Sequence, residues 1–260
     1  MKILPDAVRR EARRILSQGR KVLLRWRLGE HWDQEGRFAH RVYPDYETYV
    51  FHQRTKLDAA RAQSIAGHDR RFHGALVERL AALPFPLNGA RVLCLAARQG
   101  SEVRAFIDRG AFAVGIDLNP GRKNRYVMVG DFHDLQFADD SVDVVFTNSL
   151  DHAFDIHRIL REVRRVLTGD GLFIAEVNRV DEGGAPRGFY ESLSWSSVAE
   201  IERAIEGAGF RLERRSDFQV PWDGEQLVFR RTSAERDDEG GDEGPGEGAV
   251  GGEAGRGAPS

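Results

Sequence analysis

The stretch RVLCLAARQGSEVRAF, residues 91–106, determines the fold that this sequence predicts. Its apolar run Arg91–Leu95 is typical of a strand that is buried on both faces. A loop of small residues follows and ends at Gly100, and residues 101–110 have the pattern of a helix that stops at a glycine. A buried strand, a short loop and a helix are the beginning of an α/β unit.

The same alternation of strands and helices continues to about residue 231. Further strands are predicted at residues 111–116, 126–129, 142–147, 172–177, 210–216 and 226–231, and helices at residues 153–167 and 196–208. Short links between alternating strands and helices predict a doubly wound, mostly parallel sheet with helices on both faces. We therefore expect an α/β domain over residues 86–232.

Both flanks of this domain differ from it in composition. Residues 1–85 are expected to form a mostly helical N-terminal extension, with a long helix over residues 56–83 that ends before Pro84. Residues 7–16 fit a short basic amphipathic helix, which either packs on the body of the protein or lies on a membrane. Residues 233–260 contain eight acidic and two basic residues and many glycines, so we expect a disordered acidic tail.

Bulk composition excludes several classes of protein. The 260 residues are 41% hydrophobic, which is enough for one sizeable core, and the single Cys94 cannot form an internal disulfide. No apolar run of about 18 residues or signal-peptide pattern occurs, so we expect a cytoplasmic protein without a membrane span. The net charge of −3 gives no indication of nucleic-acid binding.

Three of the predicted strands are followed by polar residues, namely Asp117, Asp131 and Asn148, at the edge where doubly wound sheets bind ligands. Asp117 can accept hydrogen bonds from both hydroxyls of a ribose, or it can cap the Asn119-Pro120-Gly121 turn. Asp131 can accept a hydrogen bond from an exocyclic amine, and Phe132 can pack against the face of a base. Alternatively, Asp131 is a turn residue and Phe132 a core residue.

The order of these motifs resembles the class I S-adenosylmethionine-dependent methyltransferases, in particular methyltransferases of type 11. The resemblance is carried by VLCLAARQGSEV, AVGIDLNP, GDFHDLQFADDSVDVVFTNSLDHAFD and ILREVRRVLTGDGLFIAEV. It covers about residues 90–231 and is most specific over residues 137–177. It implies a Rossmann-like sheet of seven strands whose last strand is antiparallel, and S-adenosylmethionine as the cofactor.

The resemblance also implies which residues meet the cofactor. The loop from Ala96 to Gly100 would hold the methionine end, Asp117 the ribose, and Leu118 would lie beside the adenine. Asp131 and Phe132 would contact the adenine, and Asn148 would line the methyl-transfer site. From the loop, the residues assigned to the cofactor are Ala96, Ala97, Arg98 and Gly100.

The loop departs from the family pattern. The family usually has an acidic residue at the position of Cys94 and glycines at those of Ala96 and Arg98. Arg98 would then either pair with the cofactor carboxylate or mark a pocket that no longer binds cofactor. Glu102 is a nearby carboxylate that can substitute for the missing acid.

Methyl transfer to a small polar acceptor, at oxygen or nitrogen, is the function that the sequence favours. His152 is the candidate base for a hydroxyl acceptor, with Asp151 beside it, and no metal site is predicted. The residues expected to roof the acceptor, unless they only pack the helix, are Tyr43, Tyr46, Tyr49, His52, Gln53 and Lys56. The alternatives are an inactive cofactor- or partner-binding module and a nicotinamide-dependent reductase, whose G-x-G-x-x-G loop this sequence lacks.

Overall fold

A computed structural model describes Gly19 and residues 30–56, 59–180 and 187–232 of the chain, without the side chains of residues 59–66. The strands are β1 (Trp32–Glu35), β2 (Phe38–Arg41), β3 (Arg91–Leu95), β4 (Phe112–Asp117), β5 (Val127–Val129), β6 (Val142–Thr147), β7 (Leu167–Asn178), β8 (Leu193–Trp195), β9 (Phe210–Phe218) and β10 (Gly224–Arg231). The helices are α1 (Tyr46–Arg54), α2 (Ala59–Ala81), α3 (Ser101–Asp108), α4 (Ile156–Val166) and α5 (Val198–Gly207).

Seven of the strands form one sheet in the order β5-β4-β3-β6-β7-β10-β9. The first five of these strands pair in parallel, and β10 runs antiparallel to both β7 and β9. This is the seven-stranded, doubly wound sheet that the sequence predicts, including its antiparallel last strand. The order reverses between β3 and β6, and this is the point where such sheets bind ligands.

The strand β3 is apolar after Arg91 because it contributes to two cores. Leu93 and Leu95 pack into the core beneath α4 and α5, while Val92 and Cys94 pack into the core beneath α2 and α3. Alternate side chains of a strand point to opposite faces, so a central strand covered by helices on both sides needs apolar residues at every position.

Local capping explains where the helices begin. Asp45 caps α1 by accepting a hydrogen bond from the Thr48 amide at 2.7 Å, and Asp155 caps α4 through the Arg158 amide at 2.9 Å. A capping side chain satisfies one of the amides that the first helical turn leaves unpaired. The predicted helix at residues 153–167 therefore starts three residues later, at Ile156.

A second, three-stranded sheet in the order β1-β2-β8 was not expected. The hairpin β1-β2 turns at Gly36, which has a φ of 59°, and β2 pairs with β8 so that Phe38 faces Trp195. This sheet connects the N-terminal extension to the segment that precedes α5. The extension is thus helical in α1 and α2 but begins, in its described part, with a hairpin.

Two of the predicted segments lie outside the described residues. They are the basic amphipathic helix at residues 7–16 and the acidic tail at residues 233–260. Among the residues that are described, no helix is both long enough and apolar enough to cross a membrane.

Candidate functional site

A pocket opens at the carboxyl ends of β3, β4 and β6, beneath α1. It encloses about 520 Å³ of empty space, its open mouth included. Both the sheet and the N-terminal extension contribute to its wall. The residues that line it are Tyr49, Gln53, Lys56, Ala96, Arg98, Asp117, Leu118, Asn119, Gly130, Phe132, Ser149 and His152.

The loop after β3 keeps a glycine-type backbone path without the glycines. Ala96 and Arg98 have φ values of 51° and 41°, and Gly100 has a φ of 81°. The left-handed region is costly for residues with a Cβ atom and normal for glycine. Both positions where the family usually has glycine therefore accept backbone strain in this chain. At Gly100 a Cβ would lie 2.9 Å from the Cβ of Tyr126, which explains why glycine remains there.

Asp117, at the end of β4, links two loops of the pocket. Its Oδ2 accepts a hydrogen bond from the Arg98 amide at 3.1 Å, and its Oδ1 accepts one from the Asn119 amide at 2.7 Å. The turn-capping role that the sequence allows is therefore present. Each carboxylate oxygen has a further lone pair, and Asp117 also lines the pocket, so capping and ligand binding are compatible.

Asp131 faces α1 and does not line the pocket. Its Oδ2 accepts a hydrogen bond from the Tyr46 hydroxyl at 2.6 Å, and its Oδ1 accepts one from the His133 amide at 2.9 Å. Although burial alone would raise it, these hydrogen bonds hold the pKa of Asp131 below its ordinary value. This carboxylate is therefore positioned to fasten α1 to the sheet edge, while its neighbours Gly130 and Phe132 form the pocket wall.

His152 lies in a 3-10 turn after β6 and lines the pocket opposite the loop of Ala96. Its Nδ1 is 2.7 Å from the Tyr190 carbonyl oxygen. A carbonyl oxygen only accepts, so Nδ1 carries the proton and Nε2 presents a lone pair. The Nζ atom of Lys56, at the end of α1, is in hydrogen-bond contact with Nε2.

Asp151 stands beside this histidine, with its Oδ2 atom 3.7 Å from His152 Nε2. Burial raises the pKa of Asp151, and the nearby charge of Lys56 partly offsets that increase. Asp151 is therefore a neighbour of the pocket and not part of its wall.

Six of the residues predicted for the site line the pocket, namely Ala96, Arg98, Asp117, Leu118, Phe132 and His152. Ala97 does not, because it is fully buried beneath the loop. Gly100 lies against Tyr126 and Val127, and Asn148 accepts a hydrogen bond from the Ser149 hydroxyl at 3.0 Å.

The N-terminal segment contributes half of its predicted cluster to the pocket. Tyr49, Gln53 and Lys56 line it. Tyr43 and His52 form a buried hydrogen bond of 2.9 Å behind them, and Tyr46 contacts Asp131. The residues of α1 follow helical spacing, so one face of this helix lines the pocket and its other faces pack against neighbouring parts of the protein.

Three residues of the pocket wall were not predicted, namely Asn119, Gly130 and Ser149. Each is the neighbour of a residue that was predicted, at a strand end. The strand ends were therefore identifiable from the sequence, but the direction of each side chain depends on loop geometry that the sequence pattern does not contain. Among the described residues, no group of three or more His, Cys, Asp and Glu is placed to hold a metal ion.

Comparison with known proteins agrees with this architecture. Residues 93–175 match the family model described as a methyltransferase domain. The fold is similar to Burkholderia thailandensis 1,6-didemethyltoxoflavin-N1-methyltransferase, solved with its substrate and S-adenosylhomocysteine, with a TM-score of 0.58 and 16% identity over 78% of this chain and 100% of that chain.

A second similar structure is a chain from the complex between the Haloferax volcanii Trm112 methyltransferase activator and a methyltransferase. Its TM-score is 0.55, with 24% identity over 70% of this chain and 98% of that chain. A search of curated proteins finds no match. The sheet order and the match of residues 93–175 to the methyltransferase domain model support a fold of the class I S-adenosylmethionine-dependent methyltransferase type.

Proposed function

We propose that this protein binds S-adenosylmethionine in the pocket beneath α1 and transfers its methyl group to a small polar acceptor, at oxygen or nitrogen. The observation that supports this most directly is the loop from Ala96 to Gly100, which keeps the left-handed backbone of a glycine loop although two of its residues are not glycine. Backbone strain of this kind is concentrated at functional sites, and this supports a pocket that binds its ligand.

The residues of the pocket fit the cofactor. Leu118 and Phe132 offer apolar surface for an adenine, and Asp117 lies between them and the loop with acceptor capacity for a ribose. Arg98 adds a cation where a carboxylate would enter. We do not extend the adenine assignment to Asp131, because its carboxylate is engaged by Tyr46 and His133.

When bound, S-adenosylmethionine supplies a methyl group on a sulfonium, which a nucleophile attacks in line. The contribution of the chain is then to hold the acceptor in that line and to keep water out, because positioning is a large part of the rate of such a displacement. Tyr49, Gln53 and Lys56 cover the pocket from α1, so we assign residues 1–85 the role of an acceptor lid.

For a hydroxyl acceptor, His152 is the proposed base. The Tyr190 carbonyl fixes its Nδ1 proton, so Nε2 faces the pocket as an acceptor. The proton of the acceptor hydroxyl would pass to Nε2 as the oxygen forms its new bond to carbon. Lys56, which contacts Nε2 in this structure, would then turn its donor to the acceptor oxygen.

The experiment is to incubate the protein with S-adenosylmethionine and a small-molecule extract and to search by mass spectrometry for products heavier by one CH₂. We expect such a product with the wild type and, if the acceptor is a hydroxyl, a rate about 10²–10⁴ times lower for His152→Gln. His157→Gln, an exposed position on α4, is the matched control. Methylation only of added protein or RNA would contradict a small-molecule acceptor.

A further inference from the structure

The backbone carbonyl of Tyr190 accepts hydrogen bonds from two side chains at once. His152 Nδ1 lies 2.7 Å from this oxygen, and Gln53 Nε2 lies 2.9 Å from it. His152 belongs to the turn after β6, whereas Gln53 belongs to α1. A single carbonyl group therefore connects the proposed base to the helix that covers the pocket.

The orientation of the Gln53 amide follows from its partners. A carbonyl oxygen only accepts, so the atom that faces Tyr190 is the nitrogen Nε2. The same nitrogen donates to the Ser192 hydroxyl at 3.0 Å, and that hydroxyl lies 2.8 Å from the Tyr43 hydroxyl. Gln53 is buried, so both of its amide hydrogens are used in an interior network that fixes the side chain.

The carbonyl of Tyr190 lies in an irregular segment, residues 187–192, that belongs to no helix or strand. Contacts with the N-terminal extension set its position instead. The Tyr190 ring stacks on His52 with 5.2 Å between ring centres, and its hydroxyl donates to the Thr55 carbonyl at 3.3 Å. Gln53 is the side chain of α1 that bonds to the carbonyl itself.

The position of this carbonyl decides which nitrogen of His152 is basic. A neutral imidazole carries one proton, and the hydrogen bond made by one ring nitrogen sets the state of the other. With the Nδ1 proton held on Tyr190, Nε2 keeps its lone pair, and the contact of Lys56 with Nε2 favours the same tautomer. With the proton on Nε2, that nitrogen could not accept a proton from an acceptor hydroxyl.

We propose that Gln53 is a positioning residue of the methyl-transfer site. It holds the Tyr190 carbonyl in place, so that His152 keeps its proton on Nδ1 and presents Nε2 as the base. This inference rests on the proposed function, because it requires His152 to be that base. Gln53 acts here through Tyr190, so its loss should lower the rate of methyl transfer and leave cofactor binding unchanged.

The test is the tautomer of His152, measured by long-range ¹H–¹⁵N NMR at a pH where the ring is neutral. His152→Gln identifies its signals among those of the eight histidines. Because Lys56 favours the same tautomer, the variants are compared in a Lys56→Met background. We expect the Nδ1–H form to dominate in the wild type and in Lys56→Met, and to lose its majority in Lys56→Met/Gln53→Met.

The matched control is Lys56→Met/Gln34→Met, which should keep the Nδ1–H form. Gln34 is an exposed glutamine on β1 that also donates to a backbone carbonyl, that of Gly36. If the Gln53→Met protein does not fold, Lys56→Met/Gln53→Asn replaces it. That variant keeps an amide but is one methylene shorter, and it should show the same loss.

The outcomes separate the inference from the proposed function. An Nε2–H form in the wild type would overturn the inference before any variant is made. An unchanged Nδ1–H majority in the Gln53 variants would overturn it as well. A wild type that methylates no small molecule would contradict the proposed function, whereas the tautomer measured in the same protein still decides whether Gln53 positions His152.

Discussion

At the scale of single residues, Ala96 and Arg98 carry the cost of the loop after β3. Their positive φ values place a Cβ in the left-handed region, where an L-residue loses roughly 1–2 kcal/mol relative to its usual conformation. The hydrogen bonds that fix this path come from outside the loop. The Ala97 amide donates to the Ile116 carbonyl at 2.9 Å, and the Arg98 amide donates to Asp117.

Ala96→Gly should therefore stabilise the protein. Relief of the left-handed strain exceeds the added chain entropy of glycine in the unfolded state, so we expect a gain of about 0.5–1 kcal/mol, measured by thermal or urea unfolding. Ala105→Gly, in the middle of α3, is the control and should destabilise by about as much. A loss of stability in Ala96→Gly would show that the loop does not hold this conformation.

The capping role of Asp117 and its proposed ligand role would have different signatures. Asp117→Ala should cost about 1–3 kcal/mol of stability, because the Arg98 and Asn119 amides lose their acceptors. It should also weaken S-adenosylhomocysteine by at least tenfold, about 1.4 kcal/mol. Asp117→Asn should lie between. The exposed Asp134→Asn is the control, and wild-type affinity in a folded Asp117→Ala protein would remove Asp117 from the site.

The sequence predicts which strand ends form the candidate site, but not the direction in which each side chain points. Asp117, Leu118 and Phe132 line the pocket as expected, because a residue at the carboxyl end of a parallel strand has few other places to point. Asp131 does not line it, because Tyr46 and His133, which are distant in sequence or unremarkable in pattern, compete for its oxygens. Such competition between side chains is decided by tertiary contacts and leaves no local signature.

At the scale of helices and strands, α2 is anchored to the sheet by a buried ion pair. Arg79 donates two hydrogen bonds to Glu176 on β7, at 2.7 and 2.9 Å, and Gln226 on β10 donates a third at 2.9 Å. The guanidinium also lies 4.2 Å from the ring centre of Phe218. Arg79 of the extension thus contacts β7 and β9, and its partner Glu176 also binds β10.

Arg79→Met should be severely destabilising, by about 3–5 kcal/mol, because it leaves the Glu176 carboxylate buried without its cation. Burial already raises the pKa of Glu176, and without Arg79 it rises further. The folded variant then keeps a proton that the unfolded chain releases, so its stability should fall as pH rises above about 4.3.

The double variant Arg79→Met/Glu176→Met provides the control for this loss. It should recover much of the stability, since it removes both charges together. Thermal unfolding of both variants across pH measures these effects. A single variant as stable as the wild type would mean that the pair does not anchor α2.

Elements with strong periodicity were predictable, and the small second sheet was not. The strands β3 and β6 match their predicted limits, since unbroken apolar runs allow little else. The strand β1 has the sequence WDQE and is largely exposed, so it has neither an apolar run nor an apolar alternation. It is formed by pairing with β2, which is supported in turn by β8 from far along the chain. Long-range pairing of this kind overrides weak local preference.

At the scale of the whole molecule, the pocket lies between the seven-stranded sheet and the N-terminal extension. The sheet supplies the strand ends and the loop of Ala96, and α1 supplies the roof with Tyr49, Gln53 and Lys56. The Tyr46–Asp131 hydrogen bond and the Lys56–His152 contact join the roof to the sheet side of the pocket. Closure of the pocket therefore depends on the N-terminal extension as well as on the methyltransferase domain.

The binding of S-adenosylhomocysteine to the wild-type protein, measured by titration calorimetry beside NADH, tests the central claim most directly. We expect a single site with micromolar affinity, about −8 kcal/mol, and no heat from NADH, because the loop of Ala96 lacks the glycines that a dinucleotide requires. No heat from S-adenosylhomocysteine at millimolar concentration would contradict the account and favour a binding module that has kept the fold without the cofactor.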